Sequence, residues 1–519
     1  MKNILQNTCN NRILLVILVL VLGFNSCTKD LDKVPTNGIT SDEQYNSVAG
    51  YKQSMVSVYS NMAYGNFLRY YWGMQEYPTD EAVSTWNDNG DGIYHQLAWS
   101  ADVPALSFVY TTTLSTITYC NNFINESSDA SIAKRGFTGS DAAAIQQYKA
   151  EIRYLRAYCF WVLMDCYGNP PFPTEESLGT TSPEQIQRKD LFIFIEKELK
   201  EIEPLLAEAR TNEWGRPDKA AGWALLSRMY LNAEVYTKEA RFTDAITYCN
   251  KIINAGYTLE SNYSWLMLGD NHLNTNEFIF TINYNNTNET WNGTNFMSLG
   301  SAGVPASVTG MSGSWNSFRF TQQIPALFPT SDASVDKRAQ FFKDGQKLEV
   351  KSIPESTDGY SAYKYRNVDR AGNAIPQNNT FNNLADIDFP VFRLAEIYLT
   401  YAEAVLKGGQ GGSQATALTY INELRGRAYA NNPSSSAGNI TADKLTADFV
   451  LDERGRELYW EAQRRTDLVR YNKLTTGSYL WAWKGGSIGG NAVDSKYNLF
   501  PIPTADLLAN PNLIQIKDF

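Results

Sequence analysis

The chain has 519 residues, of which 43% are hydrophobic, so it is long enough to bury a large core in about two to four average domains or in one large helical unit. Its formal net charge of −10 argues against nucleic acid as a partner, because phosphate contacts require clustered Lys and Arg and no basic run follows residue 12. Only two histidines are present, His95 and His272, which argues against a His-rich metal site.

The first residues have the pattern of an export signal. Lys2 and Arg12 form a positively charged segment, and the apolar run that follows at 13–22 is too short to span a bilayer. A small residue then precedes Cys27, as at the cleavage site of a bacterial lipoprotein. We therefore expect residues 1–26 to be a lipoprotein signal peptide and Cys27 to become the lipidated first residue of the mature protein. The alternative is an uncleaved signal anchor.

Four helices are predicted in the first half of the mature chain, with an aromatic loop between the first two. The spacing of apolar residues predicts them at 42–64, 103–123, 148–166 and 190–210. The third is expected to end where Gly168 and Pro170 follow it. Residues 66–99 are rich in aromatic and amide side chains and contain Asn-Gly and Asp-Gly turn signals, so a long loop is predicted there. Functional residues often lie on such loops.

Four cysteines remain in the mature chain after Cys27, and we interpret them as small buried residues: Cys120, Cys159, Cys166 and Cys249. Cys159 and Cys166 are seven residues apart on one predicted helix, about 10 Å at 1.5 Å per residue. That distance is too long for a disulfide within the helix.

An internal repeat follows these helices. Tyr230 precedes the string Ala-Ile-Thr-Tyr-Cys-Asn-Lys-Ile at 245–252, and Tyr398 precedes the string Ala-Leu-Thr-Tyr-Ile-Asn-Glu-Leu at 417–424. The two strings agree at Ala, Thr, Tyr and Asn. Each unit predicts a helix, a turn and a second helix. This is tetratricopeptide-like geometry, in which helix pairs bury their faces by stacking on their neighbours.

The segment between the two repeats breaks the helical pattern. Residues 283–390 are rich in Asn, Gly, Ser and Thr and contain the isolated Trp291 and Trp315. We expect irregular loops, short strands and short helices packed as a lobe. The alternative is disorder, which the aromatic content disfavours. Residues 387–407 are expected to restore the helical scaffold.

The stretch 448–484 is predicted to be an amphipathic helix. Leu451, Leu458 and Leu468 recur at roughly helical spacing. Glu461 and Arg465 stand four residues apart, so the sequence predicts an attractive pair on the helix surface.

Three strings in the chain resemble one family. The string Glu-Arg-x-Arg-Glu-Leu-x-x-Glu-x-x-Arg-Arg-x-Asp-Leu-x-Arg at 453–470 resembles the C-terminal signature of the SusD/RagB family. The helix with Glu-x-Arg-x-Leu-Arg-Ala that runs into Tyr167-Gly168 and the tail beginning Leu-Phe-Pro-Ile-Pro at 499 are similar to it as well. The resemblance implies a mainly α fold with tetratricopeptide-like helix pairs, four in number, and a loop-rich lobe.

The resemblance also implies how the mature chain is divided and what it does. Residues 27–282 would be an N-terminal region with helical repeats and a binding loop, and residues 283–519 a C-terminal region with the lobe and further repeats. Members of the family are lipid-anchored outer-membrane proteins that bind glycans beside a TonB-dependent transporter. We therefore expect cell-surface binding of an oligosaccharide, with starch or a related α-glucan favoured, and its delivery to a SusC-like transporter.

The resemblance assigns five residues to a glycan site: Arg69, Trp86, Asn89, Trp291 and Trp315. A sugar needs an apolar plate against its C–H face and hydrogen-bonding groups for its hydroxyls, which Trp, Arg and Asn supply. The starch-binding member of the family has a further tryptophan at the position of Ser84. That difference argues against starch as the ligand more than it argues against glycan binding in general. The alternative for the three tryptophans is core packing.

The expected binding protein has no catalytic residue, metal or cofactor. One rival interpretation is an adaptor whose repeats bind only the transporter and whose aromatic residues form core. A second rival is a glycoside hydrolase, for which the adjacent Asp80 and Glu81 are the candidate carboxylates. Adjacent residues rarely point into one site from opposite sides, which disfavours this rival.

Overall fold

The computed structural model describes residues 40–179, 182–286, 293–376 and 384–519. The predicted signal peptide, Cys27 and Trp291 lie outside these residues. The chain divides after Tyr51 into two compact units, which are described separately. Within the described ranges, no helix is long and apolar enough to cross a membrane.

The first unit contains helix α1 (Ser41–Gln44) and the first turn of helix α2 (Val48–Met62). Thr40 caps α1 with a reciprocal pair of bonds. Its hydroxyl accepts the Glu43 N–H at 3.2 Å, and the Glu43 carboxylate accepts the Thr40 N–H at 2.9 Å. These bonds satisfy two donors at the helix start and explain why the helix begins at Ser41.

The second unit is mainly helical. The remainder of α2 is followed, in chain order, by α3 (Gly65–Glu76), α4 (Pro104–Glu126), α5 (Asp129–Lys134), α6 (Gly139–Tyr167), α7 (Arg188–Ile202), α8 (Lys219–Leu231), α9 (Ala233–Thr237), α10 (Phe242–Asn254), α11 (Asn295–Gly300), α12 (Ala306–Thr309), α13 (Gln323–Ala326), α14 (Leu394–Leu406), α15 (Gln414–Ala430), α16 (Ala447–Leu458), α17 (Arg464–Arg470) and α18 (Thr504–Ala509). Helices α4, α6 and α7 pack against one another in sequence. The helix predicted at 148–166 is confirmed as the C-terminal part of α6, which ends at Gly168 with φ +74°.

The predicted repeat is confirmed as two helix pairs, α8 with α10 and α14 with α15. Each pair packs together, and α10 packs on α14, so the pairs stack on one another. The equivalent tyrosines of the two strings also make equivalent contacts. Tyr230 lies 5.6 Å from Tyr248, and Tyr398 lies 4.3 Å from Tyr420, between ring centroids. The shared Tyr positions are therefore the contact between the two helices of each unit.

The segment between the repeats is a lobe of loops, short helices and short strands, as predicted. Strand β1 (Phe278–Ile282) pairs antiparallel with β4 (Phe389–Arg393), and β2 (Phe341–Phe342) pairs antiparallel with β3 (Ser361–Ala362). Both long strands are buried throughout. The β1–β4 ladder therefore closes the lobe at its two ends and leads directly into α14.

The prediction of a loop over the whole of 66–99 is wrong for its first part, which is helix α3. This helix buries Phe67, Leu68, Tyr71, Trp72 and Met74 around nearly its whole circumference. The sequence interpretation rests on the aromatic and amide content of this stretch, which a buried helix can share with a loop. Residues 88–96 form a kinked 3₁₀ turn, and the remainder of the predicted loop is irregular.

The prediction of one amphipathic helix over 448–484 is also wrong. Helix α16 ends at Leu458, and α17 covers only Arg464–Arg470. Between them Trp460 and Ala462 have positive φ values of 62° and 59°. The predicted pair of Glu461 with Arg465 does not form because the break turns these side chains towards different partners.

Glu461 instead joins a buried network of charges around Arg393. The Arg393 guanidinium contacts Glu277 at 2.8 Å, Glu457 at 2.7 Å and Glu461 at 2.7 Å, and all four side chains are at most 1% exposed. Lys364 also contacts Glu461, at 2.7 Å. Burial alone would raise the pKa of Glu461, but the Arg393 and Lys364 charges lower it overall. The carboxylate is therefore held ionised inside the protein.

The four cysteines beyond Cys27 are all buried and free, as predicted. Burial raises the pKa of the Cys120 and Cys166 thiols to about 12. At neutral pH these sulfurs are protonated and pack as small apolar groups.

Replacing Arg393 with Met should strongly destabilise the protein. The substitution keeps much of the side-chain volume but leaves three buried carboxylates without their shared cation. Breaking a buried ion pair in this way costs about 3–5 kcal/mol. The free energy of unfolding from urea titration measures the loss.

The matched control is Lys189→Met, which breaks the exposed ion pair of Lys189 with Glu239 and should leave unfolding unchanged. If Arg393→Met unfolds at the same urea concentration as the unsubstituted protein, the network does not hold the fold together.

Candidate functional site

Two distant segments meet to bring the predicted tryptophans together. Val83 and Arg319 exchange backbone hydrogen bonds at 2.8 and 3.1 Å, and the Thr85 N–H donates to the Ser317 carbonyl at 3.4 Å. The segments therefore run antiparallel, as two strands of a sheet would. This pairing positions Trp86, which follows the first segment, beside Trp315, which precedes the second.

Trp86 and Trp315 form an aromatic pair at the protein surface. Their ring centroids lie 5.4 Å apart, with planes inclined by 56°. Trp86 also rests edge-on against the buried Phe318, at 4.9 Å. Trp315 is 38% exposed and Trp86 is half-buried. The pair is thus an exposed apolar surface on a rigid base, and we call these two rings the aromatic pair.

Polar groups border the aromatic pair on the side of α3. The Arg69 guanidinium lies 5.1 Å from the centroid of the Trp86 ring and donates to Asp88 at 2.8 Å. Asn89 donates from its side-chain amide to the Tyr70 hydroxyl at 2.6 Å. Tyr70 is itself fixed by stacking on Phe108, with centroids 4.6 Å apart. Arg69 is therefore held over the Trp86 ring, and Asn89 is held beside α3 through Tyr70.

Asn89 can occupy this position because its backbone adopts the left-handed conformation, with φ +54°. Asparagine tolerates this region better than most residues do, and Gly90 follows with φ +81°. The Asn-Gly turn signal in the sequence corresponds to this local fold.

A buried histidine supports the loop beneath Trp86. The Ser84 N–H donates to His95 Nε2 at 3.0 Å, while His95 Nδ1 lies 3.2 Å from the Tyr77 carbonyl. Because the carbonyl can only accept, Nδ1 carries the proton and Nε2 is the acceptor. Burial lowers the pKa of His95 to about 4, so the imidazole is neutral at physiological pH. The Ser84 hydroxyl in turn accepts a hydrogen bond from the backbone N–H of Trp86 at 3.0 Å.

An acidic group lies beneath Arg69. Asp91 is buried, with a carboxylate oxygen 3.7 Å from the Arg69 guanidinium. Burial raises the pKa of Asp91 to about 7, even though the Arg69 charge opposes this shift. Asp88 carries the closer and more exposed carboxylate of the two.

The structure brings together four of the five residues that the sequence assigned to the site: Arg69, Trp86, Asn89 and Trp315. Trp291 lies outside the described residues. The sequence analysis missed Tyr70 and Phe318, which hold the predicted residues in place. Tyr70 stands beside Arg69 in the sequence, and the helical phase of α3, which was not predicted, would have been the signal for it.

Asp80 and Glu81, the carboxylates of the hydrolase interpretation, are buried in the protein. Asp80 makes two bonds of 2.8 Å with Arg464 and accepts the Tyr479 hydroxyl at 2.6 Å. Glu81 accepts the Trp460 backbone N–H at 2.9 Å. Both carboxylates anchor the loop that carries Trp86. Within the residues that the structure describes, no group of three His, Cys, Asp or Glu side chains is arranged to hold a metal ion.

Comparison with known proteins gives one consistent family. The model of the SusD family matches residues 331–519. The starch-binding protein SusD of Bacteroides thetaiotaomicron is 32% identical to this chain over 97% of the chain and 98% of its own length. SusD-like protein P25 of Formosa agariphila is 24% identical over 97% of each protein.

Solved structures share the fold. A SusD homologue from Bacteroides thetaiotaomicron superposes with a TM-score of 0.73 at 18% identity, covering 92% of this chain and 98% of its own. Surface glycan-binding protein A from Bacteroides thetaiotaomicron, in complex with laminarihexaose, superposes with a TM-score of 0.69 at 18% identity, covering 90% and 99%. These likenesses confirm the predicted mainly α architecture.

Acid should destabilise the protein through His95. In the unfolded chain the His95 imidazole is protonated near pH 6.5, whereas in the native protein it is protonated only near pH 4. The free energy of unfolding therefore decreases as the pH falls through that interval. At 1.4 kcal/mol per pKa unit, the loss from this one group reaches about 3 kcal/mol. Urea titrations at pH 6.5 and pH 4.5 measure it.

The variant His95→Gln keeps an acceptor for the Ser84 N–H but does not titrate, so its stability should fall less between the two pH values. Equal losses for both proteins would show that His95 does not resist protonation in the native state.

Proposed function

Because the chain belongs to the SusD family, we propose that it binds a glycan at the cell surface through the aromatic pair of Trp86 and Trp315. The observation that carries the proposal is this exposed pair, with the Arg69 guanidinium over Trp86 and the Asn89 amide held nearby on Tyr70. The pair meets the two requirements of a sugar site. The indole rings offer apolar faces to the C–H groups of pyranose rings, and Arg69 and Asn89 offer donors to the ring hydroxyls.

The two tryptophans are suited to an oligosaccharide rather than to a single sugar. Their planes are inclined by 56°, so successive sugar units of a curved chain can each contact one ring. We favour an α-glucan such as starch, because a relative that is 32% identical over 97% of this chain is named for starch binding. Trp291 completes the proposed set of site residues.

The proposed role is binding without catalysis. The candidate carboxylates of the hydrolase interpretation, Asp80 and Glu81, are buried and bonded to Arg464 and to the Trp460 backbone. A glycosidase needs two carboxyl groups on opposite sides of the scissile bond, about 5–10 Å apart. Asp88 and Asp91 both contact Arg69 from one side, which does not meet that requirement.

The remaining parts of the proposal concern the assembly. Residues 1–26 would be a lipoprotein signal peptide, and acylated Cys27 would hold the protein on the outer membrane, facing outward. The captured glycan would pass to a SusC-like TonB-dependent transporter. We also propose the division of the mature chain into regions 27–282 and 283–519. The helix pairs α8–α10 and α14–α15 offer an extended scaffold to the transporter. An adaptor without glycan binding is the rival, and the following experiment separates the two.

Truncating either member of the aromatic pair should weaken glycan binding. Burying an aromatic ring against a sugar is worth roughly 1.5–3 kcal/mol, so Trp86→Ala and Trp315→Ala should each lower the affinity about ten- to a hundredfold. Trp315→Ala should hardly change the melting temperature. Trp86→Ala should lower it somewhat, because this ring also packs on Phe318. Isothermal titration with maltoheptaose and thermal melts measure both effects.

The matched control is Tyr119→Ala on α4. Tyr119 is 51% exposed and lies about three turns along the helix from Phe108, the residue that supports Tyr70. Its truncation should leave affinity unchanged. Normal binding by folded Trp86→Ala and Trp315→Ala would exclude the aromatic pair as the glycan site and favour the adaptor. Release of reducing ends from maltoheptaose by the unsubstituted protein would instead favour the hydrolase.

Removal of Cys27 should release the protein from the membrane. Stable anchoring needs more than one acyl chain, and a lipoprotein cysteine supplies several. We expect Cys27→Ala to appear in the soluble fraction after a carbonate wash, with an unchanged melting temperature. Cys120→Ala, which changes a buried cysteine, should stay with the membranes.

The same membranes test the partner. Purification of the unsubstituted protein in mild detergent, from cells grown on starch, should recover a large transporter with it. Recovery of the protein alone at every detergent strength would contradict the transporter complex.

For the lipid anchor, the contradicting result is retention of Cys27→Ala in the washed membranes.

A further inference from the structure

A second recess opens beside Trp86. It is a cleft of about 640 Å³, within the range of roughly 300–1,000 Å³ that is typical of small-molecule sites. One wall is the loop of Trp86 and the residues that follow it, up to Val103, and the other is formed by Lys351–Pro354 and Trp483. We call it the Trp483 cleft. Trp86 belongs both to this cleft and to the aromatic pair, so the two surfaces are continuous.

Trp483 is held firmly at the wall of the cleft. Its indole N–H donates to the Val350 carbonyl at 3.0 Å, and its ring packs against a small buried cluster of Val83, Val350 and Ala482. Its backbone has φ +73°, a conformation that costs a bulky residue energy and persists only when its surroundings impose it. The half-buried ring is therefore preorganised, as a plate for a ligand should be.

The residue after Trp483 imposes this conformation. Lys484 is buried, and its ammonium donates to three backbone carbonyls, those of Lys473, Thr476 and Tyr479, at 3.0, 2.6 and 2.8 Å. Three bonds to one ammonium fix the turn that presents Trp483.

The cleft also contains uncommitted polar groups. Within the described part of the chain, the side-chain amide of Gln96 makes no hydrogen bond, although the residue is half-buried. Opposite it, Lys351 extends a side chain that is 69% exposed and only loosely paired with Glu349, at 3.2 Å. Ser84 keeps the cleft open, because its small side chain is turned to Ser317 at 2.7 Å. An aromatic plate with an unbonded amide and an exposed ammonium suits the hydroxyl-rich edge of a sugar.

We propose that the Trp483 cleft is a second sugar subsite, which binds further units of the glycan held at the aromatic pair. The inference rests on the proposed function, because it takes the same glycan as ligand. Trp483 stacks on a sugar ring, Gln96 and Lys351 donate to its hydroxyls, and Trp86 contacts both parts of the chain. The protein therefore discriminates by length. A short oligosaccharide covers the aromatic pair alone, whereas a longer one also fills the cleft.

Blocking the cleft tests the subsite. Ala98 is exposed and lines the cleft, so Ala98→Trp fills it without removing any contact of the aromatic pair. The unsubstituted protein should bind maltoheptaose at least about tenfold more tightly than maltotriose, since 1.4 kcal/mol of added contact is tenfold. Ala98→Trp should lower the affinity for maltoheptaose to that for maltotriose and leave maltotriose binding unchanged. Ala143→Trp, at an exposed position of α6, is the matched control.

Gln96→Ala provides a second, milder variant that retains the fold. It should weaken maltoheptaose binding about three- to tenfold and leave maltotriose binding unchanged, as loss of one hydrogen bond implies. Titration calorimetry with both sugars gives all the affinities. Normal maltoheptaose binding by Ala98→Trp and Gln96→Ala would overturn the subsite while the proposed function stands. Failure of the unsubstituted protein to bind either sugar would overturn both.

Discussion

The buried cluster of charges around Arg393 is the interaction on which the rest of the structure depends. Its members come from four distant parts of the chain: Glu277 just before β1, Lys364 in the lobe, Arg393 at the end of β4, and Glu461 in the break after α16. Removing charges from water is costly, so such a cluster adds little net stability over an apolar core. It contributes specificity instead, because three carboxylates from different parts of the chain must reach the one Arg393 guanidinium. It therefore fixes how the lobe, the β1–β4 ladder and the second repeat are joined.

A continuous chain of contacts leads from this cluster to the surface. Glu461 is held by Arg393, and its neighbour Trp460 adopts φ +62° and donates its backbone N–H to Glu81. Two residues further along the chain from Glu81, Val83 pairs with Arg319, and this pairing brings Trp86 to Trp315. These contacts connect the charged string at 453–470 to the loop that carries Trp86. Most of the string is buried, and through Trp460 it helps to determine where the proposed site lies.

Trp86 belongs to both of the proposed sugar-binding surfaces. On one side it forms the aromatic pair with Trp315 and lies under Arg69, and on the other it lines the Trp483 cleft. Both indoles that flank it are fixed from beneath, Trp315 by the strand-like pairing and Trp483 by the turn at Lys484. A binding surface made of rigid aromatic rings loses little conformational entropy when a sugar is bound. Rigid support is what a protein needs if it is to capture a flexible oligosaccharide.

The sequence by itself determined the family, the mainly helical fold, the two repeat units and four residues that lie together at the proposed site. Repeats and dense motifs are local patterns, and the Tyr230 and Tyr398 contacts recur because the same short string folds in the same way twice. Tertiary structure decided the rest. The burial of helix α3 on nearly all sides depends on the elements packed around it. The break at 459–463 forms because Glu461 and Arg465 have better partners, Arg393 and Asp165, than each other. Burial and long-range ion pairs depend on residues hundreds of positions away, and no local spacing encodes them.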